Sequence, residues 1–206
     1  MLLEYISKIY EPGEPIFLQD IDIAGMSAAS IRQNMKKLVD VGAIERFDQG
    51  IYYIPVQSRL KGKRTLSPEL VARNKYIARK GQIMGYYSGH TLANKMGLST
   101  QVPVKEEIVS NNMAAIIREV EVGGRAFVVK KAPVLVNEAN YKTLQLLEIL
   151  KDIDGYCDDD CPKVEIVSRY IRENAIKRSD VERYITAFPL KAYKTIFDMR
   201  LDYVFA

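Results

Sequence analysis

The chain has 206 residues, 48% of them hydrophobic, and its 30 basic and 26 acidic side chains leave a net charge of +4. That is enough apolar content for one large core or two small ones, and no apolar run reaches the ~18 residues that a membrane-spanning helix needs. Two cysteines, Cys157 and Cys161, argue against a disulfide framework; the start Met1–Tyr5 lacks the basic opening and cleavage site of a secretory signal, so a cytoplasmic protein is expected.

In chain order, a first helix is predicted from Leu2 to Tyr10, burying Leu2, Leu3, Ile6 and Ile9. The segment Glu11-Pro12-Gly13-Glu14-Pro15 reads as a loop. A short helix is expected from Leu18 to Ala24, burying Leu18, Ile21 and Ile23. Ser27 then reads as the N-cap of a longer helix, because its hydroxyl can accept a free backbone N–H. Ile31, Met35, Leu38 and Val41 recur at three- and four-residue steps along one face. Gly42 suits a left-handed helix end. Two β-prone runs follow, Ala43–Phe47 and Ile51–Ile54, joined by Asp48-Gln49-Gly50 as a three-residue hairpin connection. Helix, turn, helix and hairpin in that order predict a winged helix-turn-helix over residues 1–58, which makes DNA the first partner to test.

The outward face of the second long helix carries Ser27, Ala28, Ala29, Arg32, Gln33, Lys36 and Lys37. Small residues at its start would let the backbone come close to a duplex. Arg32 and Gln33 are the long donors that read guanine and adenine edges, with Ala29 and Lys36 beside them. Lys37 and, at the wing, Arg46 suit phosphates better, and Gln49 lies at the wing tip. Charge is distributed unevenly: residues 1–58 hold 5 basic and 8 acidic side chains, residues 59–80 hold 8 and 1, and the remainder 17 of each. The winged helix is therefore not a basic domain by itself. Affinity would need the basic linker 59–66, whose Lys61, Lys63 and Arg64 can contact phosphates and make binding salt-dependent. A solvated charged face and a plain charged linker are the competing readings.

A second domain is predicted over residues 67–153. Ser67-Pro68-Glu69 starts a helix running to about Lys80. A strand over Gln82–Tyr87 and a short helix over His90–Met96 closed by Gly97 come next. An extended stretch over Val102–Ser110 follows, then a hairpin turning at Gly123-Gly124. Asn137 is read as the cap of a helix presenting Tyr141, Leu144, Leu147 and Leu150 on one face. Residues 154–206 read as a helical tail packed on the second domain, with helices over Pro162–Asn174, Asp180–Phe188 and Leu190–Met199. Strands followed by helices predict an α+β chain: a winged helix-turn-helix, a mixed α+β domain and a helical C-terminal tail.

No pattern points to an enzyme or a cofactor. His90 is the one histidine and has no acidic neighbour in sequence, and no nucleotide-binding loop or zinc-protease motif occurs. Cys157 and Cys161 flank Asp158-Asp159-Asp160 without the further ligands a structural zinc requires. Asp152-x-Asp154-Gly155 lacks the terminal glutamate of a calcium loop. Both read as an acidic loop. Ser88 and Gly89 at a helix start could hold an anion with Thr91 and Gln101; the favoured reading is that the segment shapes turns and caps. An enzyme assembled only in three dimensions would instead show a polar pocket in the second domain, with carboxylates or lysines converging.

Two stretches carry a resemblance to a known family. One is Gly85-Tyr86-Tyr87-Ser88-Gly89-His90-Thr91-Leu92-Ala93-Asn94-Lys95-Met96-Gly97-Leu98-Ser99-Thr100-Gln101-Val102-Pro103, and the other Arg118-Glu119-Val120-Glu121-Val122-Gly123-Gly124-Arg125. With the N-terminal winged helix they resemble the AbiEi-type antitoxins of type IV toxin–antitoxin systems, over roughly Met1 to Ile153. The resemblance implies a repressor of its own operon, active in phage defence. Its partners would be operator DNA and a nucleotidyltransferase-like toxin counteracted without a stable complex. No cofactor and no membrane are implied, and the protein would act as a monomer or weak dimer on DNA. Carried onto this chain, the DNA-reading positions are the exposed ones from Ser27 to Lys37 and the wing around Arg46 to Gln49. The competing function is a protein-contact module that uses the winged helix without DNA.

Overall fold

Helix α1, Leu2–Ile9, opens the chain, and its contact face follows an i, i+4, i+8 spacing: Leu2, Ile6 and Tyr10 are buried, while Leu3 and Ile9 stay exposed against expectation. The computed structural model describes residues 2–56, 65–157 and 160–205. These form an α+β protein whose chain divides into two units, Met1–Val71 with Val122–Arg125, and Ala72–Glu121 with Ala126–Ala206. Of the expected basic linker, residues 59–64 lie outside the described residues.

In the first unit, strand β1, Ile16–Phe17, is unannounced by pattern because two residues carry no periodicity. It pairs antiparallel with β3, Ile51–Tyr53, which also pairs with β2, Glu45–Asp48, giving the sheet order β1-β3-β2. The helix expected over Leu18–Ala24 is absent. Only a 3-10 turn, Leu18–Asp20, forms, and Ile21 is already extended. Three local reasons combine: the Leu18 N–H is held by the Gly50 carbonyl, Phe17 offers no side-chain cap, and β-branched Ile21 and Ile23 disfavour so short a helix. Ile21 is nonetheless buried, with Leu18 and Ile23 packed partly beside it.

Helix α2, Ala28–Asp40, begins as predicted, with Ser27 Oγ accepting the Ser30 N–H at 3.2 Å. It ends where Gly42, at φ +73°, reverses the chain. There the Ala43 N–H reaches the Leu38 carbonyl and the Gly42 N–H reaches that of Val39, both at 2.9 Å. Val41 is thereby turned outward and is exposed, not part of the buried face. The hairpin expected as a wing forms with shifted bounds, its first strand starting at Glu45 rather than Ala43. Asp48 belongs to β2, the connection is Gln49-Gly50, and a bulge between Arg46 and Asp48 absorbs Phe47. Tyr53 donates to Glu45 Oε2 at 2.5 Å across the pair, and burial, reinforced by that carboxylate, pushes its hydroxyl up to about 12.

Helix α3, Pro68–Tyr76, stops four residues before the expected Lys80. The chain turns instead into a two-stranded ribbon, β4 (Ala78–Arg79) and β5 (Gln82–Ile83), over Lys80 and Gly81, both at positive φ. The run expected as a single strand over Gln82–Tyr87 is thus split, its second half becoming β6, Gly85–Tyr87. Helix α4, Gly89–Met96, matches expectation, with Gly97 left-handed behind it. Strands β7 (Glu106–Ser110), β8 (Ile117–Val122) and β9 (Arg125–Lys131) complete a sheet of order β6-β7-β9-β8. In it β6 and β7 are antiparallel, and β7 and β9 are parallel.

Gly85 sits where backbones crowd. A Cβ there would strike the carbonyl oxygens of Tyr76 and Val109, and its partner in register, Ser110, donates to the same Tyr76 carbonyl at 2.6 Å.

Helix α5, Tyr141–Leu150, is capped at Asn140, three residues after the expected cap; Asn137 accepts the N–H groups of Ala139 and Asn140 in a preceding turn. It is not one-sided. Every residue from Thr143 to Leu150 is buried, Gln145 and Glu148 included. It packs against α4, β6, α7 (Arg178–Tyr184) and α8 (Leu190–Asp198). Helix α6, Lys163–Glu173, joins the same core through Ile166, Val167 and Ile171. Residues 154–206 therefore share one core with α5.

Two substitutions test this account. Gly85→Ala is expected to destabilise the second unit by at least about 2 kcal/mol in urea denaturation, because backbone rather than flexible side chain blocks the added carbon. Ala175 ends α6 at φ +47° with the Ile176 N–H on the Ile171 carbonyl, a left-handed helix end without glycine. Ala175→Gly is expected to raise stability by about 0.5–1 kcal/mol; an unchanged or lower urea midpoint would count against strain at this position.

Candidate nucleic-acid interface

The first unit builds its core from one side of α2. Ile31 and Met35 are buried, and Leu38 is half-buried, against Leu2, Ile6, Ile16 and Ile44. The helical repeat then turns the other side outward. Ser27, Ala28, Ala29, Arg32, Gln33, Lys36 and Lys37 are all exposed. Arg32, Lys36 and Lys37 make no ion pair among the described residues. Asp40, also exposed, stands at the far C-terminal end of the helix. Asn34 is satisfied within the helix, donating to the Ser30 carbonyl at 2.9 Å.

At the β2–β3 hairpin, Arg46 and Gln49 are exposed. Arg46 is not free to swing: its Nε–H donates to the Asp48 carbonyl at 3.2 Å, while Asp48 Oδ1 accepts the Gln49 N–H at 2.6 Å. These bonds stiffen the tip and hold the guanidinium beside it. The Phe47 ring, displaced by the bulge, leaves no room for a Cβ at Gly123, whose φ is +56°. Arg125 forms an ion pair with Glu69 in the same unit. The phosphate contacts expected of Lys61, Lys63 and Arg64 lie outside the described residues.

In the second unit, the stretch from Ser88 to Gln101 has its own occupant. Glu107 of β7 accepts the His90 N–H on Oε1 at 3.1 Å, and its Oε2 accepts from Lys130 Nζ at 2.6 Å. Its backbone N–H donates to Thr91 Oγ1 at 2.8 Å, and its carbonyl accepts the Ser88 N–H at 2.9 Å. The anion at the start of α4 is thus a side chain of the protein, as the positive end of a helix favours. Gly89 is required by this arrangement, since it lies at φ +54° and a Cβ would collide with the Glu107 carboxylate. Gln101 donates its N–H to Ser99 Oγ, and Asn94 donates to the Ser99 carbonyl, so both serve the turn. Helix capping is what sequence reasoning favoured here, but it could not identify Glu107, 18 residues after Gly89.

His90 is exposed and meets Tyr156 edge to face at 5.0 Å. Cys161 donates to the Leu98 carbonyl at 3.4 Å; burial, with the Cys161 neighbour, pushes the Cys157 thiol up to about 12, so it stays protonated near neutral pH. Asp158 and Asp159 of the acidic loop are outside the described residues. No described helix is long and apolar enough to cross a membrane.

No curated protein matches the chain. Residues 3–177 match the profile of a protein family described as a family of unknown function, DUF6088. That match takes in the whole outward face of α2, the wing and the Ser88–Gln101 stretch, and with well over half the sequence inside it the chain belongs to the DUF6088 family.

Proposed function

We propose that the first unit is a winged helix-turn-helix and that the protein is a sequence-specific DNA-binding repressor. The observation that carries this is the outward face of α2, where Arg32, Gln33, Lys36 and Lys37 stand exposed and the cations lack ion-pair partners. A helix start of Ser27, Ala28 and Ala29 has no bulk to hold the backbone away from a groove. The sheet order β1-β3-β2 behind α2, with β2 and β3 forming the hairpin, is the arrangement of a winged helix in which the second helix has shrunk to the turn Leu18–Asp20. In this reading α2 enters the major groove, with Ala29, Arg32, Gln33 and Lys36 toward base edges. Lys37 and Arg46 hold phosphates on either side.

The family has no assigned function, so the biological role rests on the resemblance of Gly85–Pro103 and Arg118–Arg125 to AbiEi-type antitoxins. On that reading the repressor controls its own operon and counteracts a nucleotidyltransferase-like toxin encoded beside it, acting in the cytoplasm.

The test is a gel-shift series on the DNA upstream of the coding sequence. Arg32→Ala is expected to cost about 1–3 kcal/mol of binding and to relax preference at one base position. Lys37→Ala is expected to weaken all sequences alike and to reduce the slope of log affinity against log salt by about one. Unchanged binding in both variants would refute the residue assignment. Absence of any salt-dependent retention on DNA would favour the protein-contact alternative. For the antitoxin role, co-expression of this chain with the adjacent nucleotidyltransferase-like toxin is expected to restore the growth that the toxin alone inhibits.

A further inference from the structure

The second unit contains a cavity of about 470 Å³ that the DNA reading does not use. Its floor is apolar, with Ile77, Leu92 and Ile166 all buried. Four helices each bring one cation to its wall: Arg73 from α3, Lys95 from α4, Lys142 from α5 and Arg169 from α6. Glu173 is the one acidic residue lining it. None of the four cations has an ion-pair partner among the described residues. Some lysines elsewhere in this unit are paired, Lys105 with Glu119, Lys130 with Glu107, and Lys151 with Glu148. Four cations drawn from four separate elements around one concavity make it attractive to an anion.

The remaining wall is aromatic and hydrogen-bonding. Lys95 lies 4.4 Å from the centre of the Tyr87 ring, and Lys142 lies 5.0 and 5.7 Å from those of Tyr141 and Tyr170. Tyr170 donates to Gln145 Oε1 at 2.9 Å, and the same amide carries two N–H donors. Tyr86, only 1% exposed, lines the cavity too, and its hydroxyl has no hydrogen-bond partner among the described residues. Burial and the charge of Glu148 hold that hydroxyl protonated.

The geometry points to a binding site for a nucleoside phosphate, with Arg73, Lys95, Lys142 and Arg169 around the phosphates and the tyrosine-lined wall against the base. Guanidinium and ammonium groups supply charge-assisted bonds to phosphate oxygens. Tyrosine faces stack on any base, which makes the site tolerant of base identity. The volume lies within the range of small-molecule sites, roughly 300–1,000 Å³. The exposed positions of Arg73, Lys95 and Arg169 make the phosphate contacts solvated, so binding weakens with salt.

Isothermal titration calorimetry of the full chain with ATP, GTP, CTP and UTP tests this. At least one is expected to bind, with adenosine-type nucleosides and inorganic tripolyphosphate each weaker by about tenfold or more, since each makes half of the contacts. Arg169→Ala and Lys142→Ala are each expected to weaken the tightest nucleotide by about tenfold, with thermal melts unchanged. Silence with all four nucleotides overturns the proposal. So does tripolyphosphate binding as well as a nucleotide, or a wild-type affinity in both variants. Displacement of the nucleotide by a single-stranded oligonucleotide at lower concentration than by free nucleotide overturns it in favour of a nucleic-acid end. Arg32→Ala serves as the control: it is expected to leave nucleotide binding intact, so failure of this site and failure of DNA recognition are read separately.

Discussion

Helix α5 has no side left for water, and that constraint organises the second unit. Eight consecutive buried residues, Thr143 to Leu150, need neighbours all round, and α4, β6, α7 and α8 provide them. The helices sharing this core are amphipathic, with Leu92 and Ala93 of α4, Val167 and Ile171 of α6, Val181 of α7, and Ala192 and Ile196 of α8 on the inner faces. The last fifty residues are therefore not an appendage: without them α5 would expose a continuous apolar surface. Close packing also explains the small residues at the crossings, such as Ala93 and Ala192, both wholly buried.

Inside such a core, charge is tolerated only when it is answered. Glu148 is almost fully buried and is met by Lys151 Nζ at 2.8 Å, one helical turn on. Glu107 is met by Lys130 and by the amide end of α4. Removing either lysine would strand a carboxylate in a poorly solvated place, which costs more than the pair gains by forming. Glu107 does something further, since its side chain, N–H and carbonyl hold His90, Thr91 and the N-cap residue Ser88 at the start of α4. One residue of β7 thereby sets where that helix begins and how it lies on the strand.

The first unit divides its labour differently. Its core is small, centred on Ile6, Ile16, Met35 and Ile44, and only one face of α2 contributes to it. The cationic face adds little stability, since exposed charges contribute little when unpaired. Substitutions there change what the surface can bind without unfolding the unit. The β2–β3 hairpin is held by bonds of its own, Tyr53 to Glu45 and Arg46 to the Asp48 carbonyl, so its tip can present Gln49 in one geometry.

Local chemistry was legible wherever one short segment contains its own cause. Ser27 and Gly42 mark the ends of α2 because a hydroxyl cap and a left-handed glycine act over three or four residues. Gly97 and Gly123-Gly124 mark their turns for the same reason. The candidate DNA face was readable as well, because a helix of period 3.6 sorts its own residues into inner and outer sides. Sequence failed where the deciding partner is remote. It missed β1, which exists because β3 pairs with it; it overextended the helix at Leu18, where the Gly50 carbonyl takes the N–H; and it gave α5 one buried face when its neighbours enclose all of them. The cavity belongs to this second class. Arg73, Lys95, Lys142 and Arg169 share no spacing that a linear reading could join, and they meet only where α3, α4, α5 and α6 line one cavity.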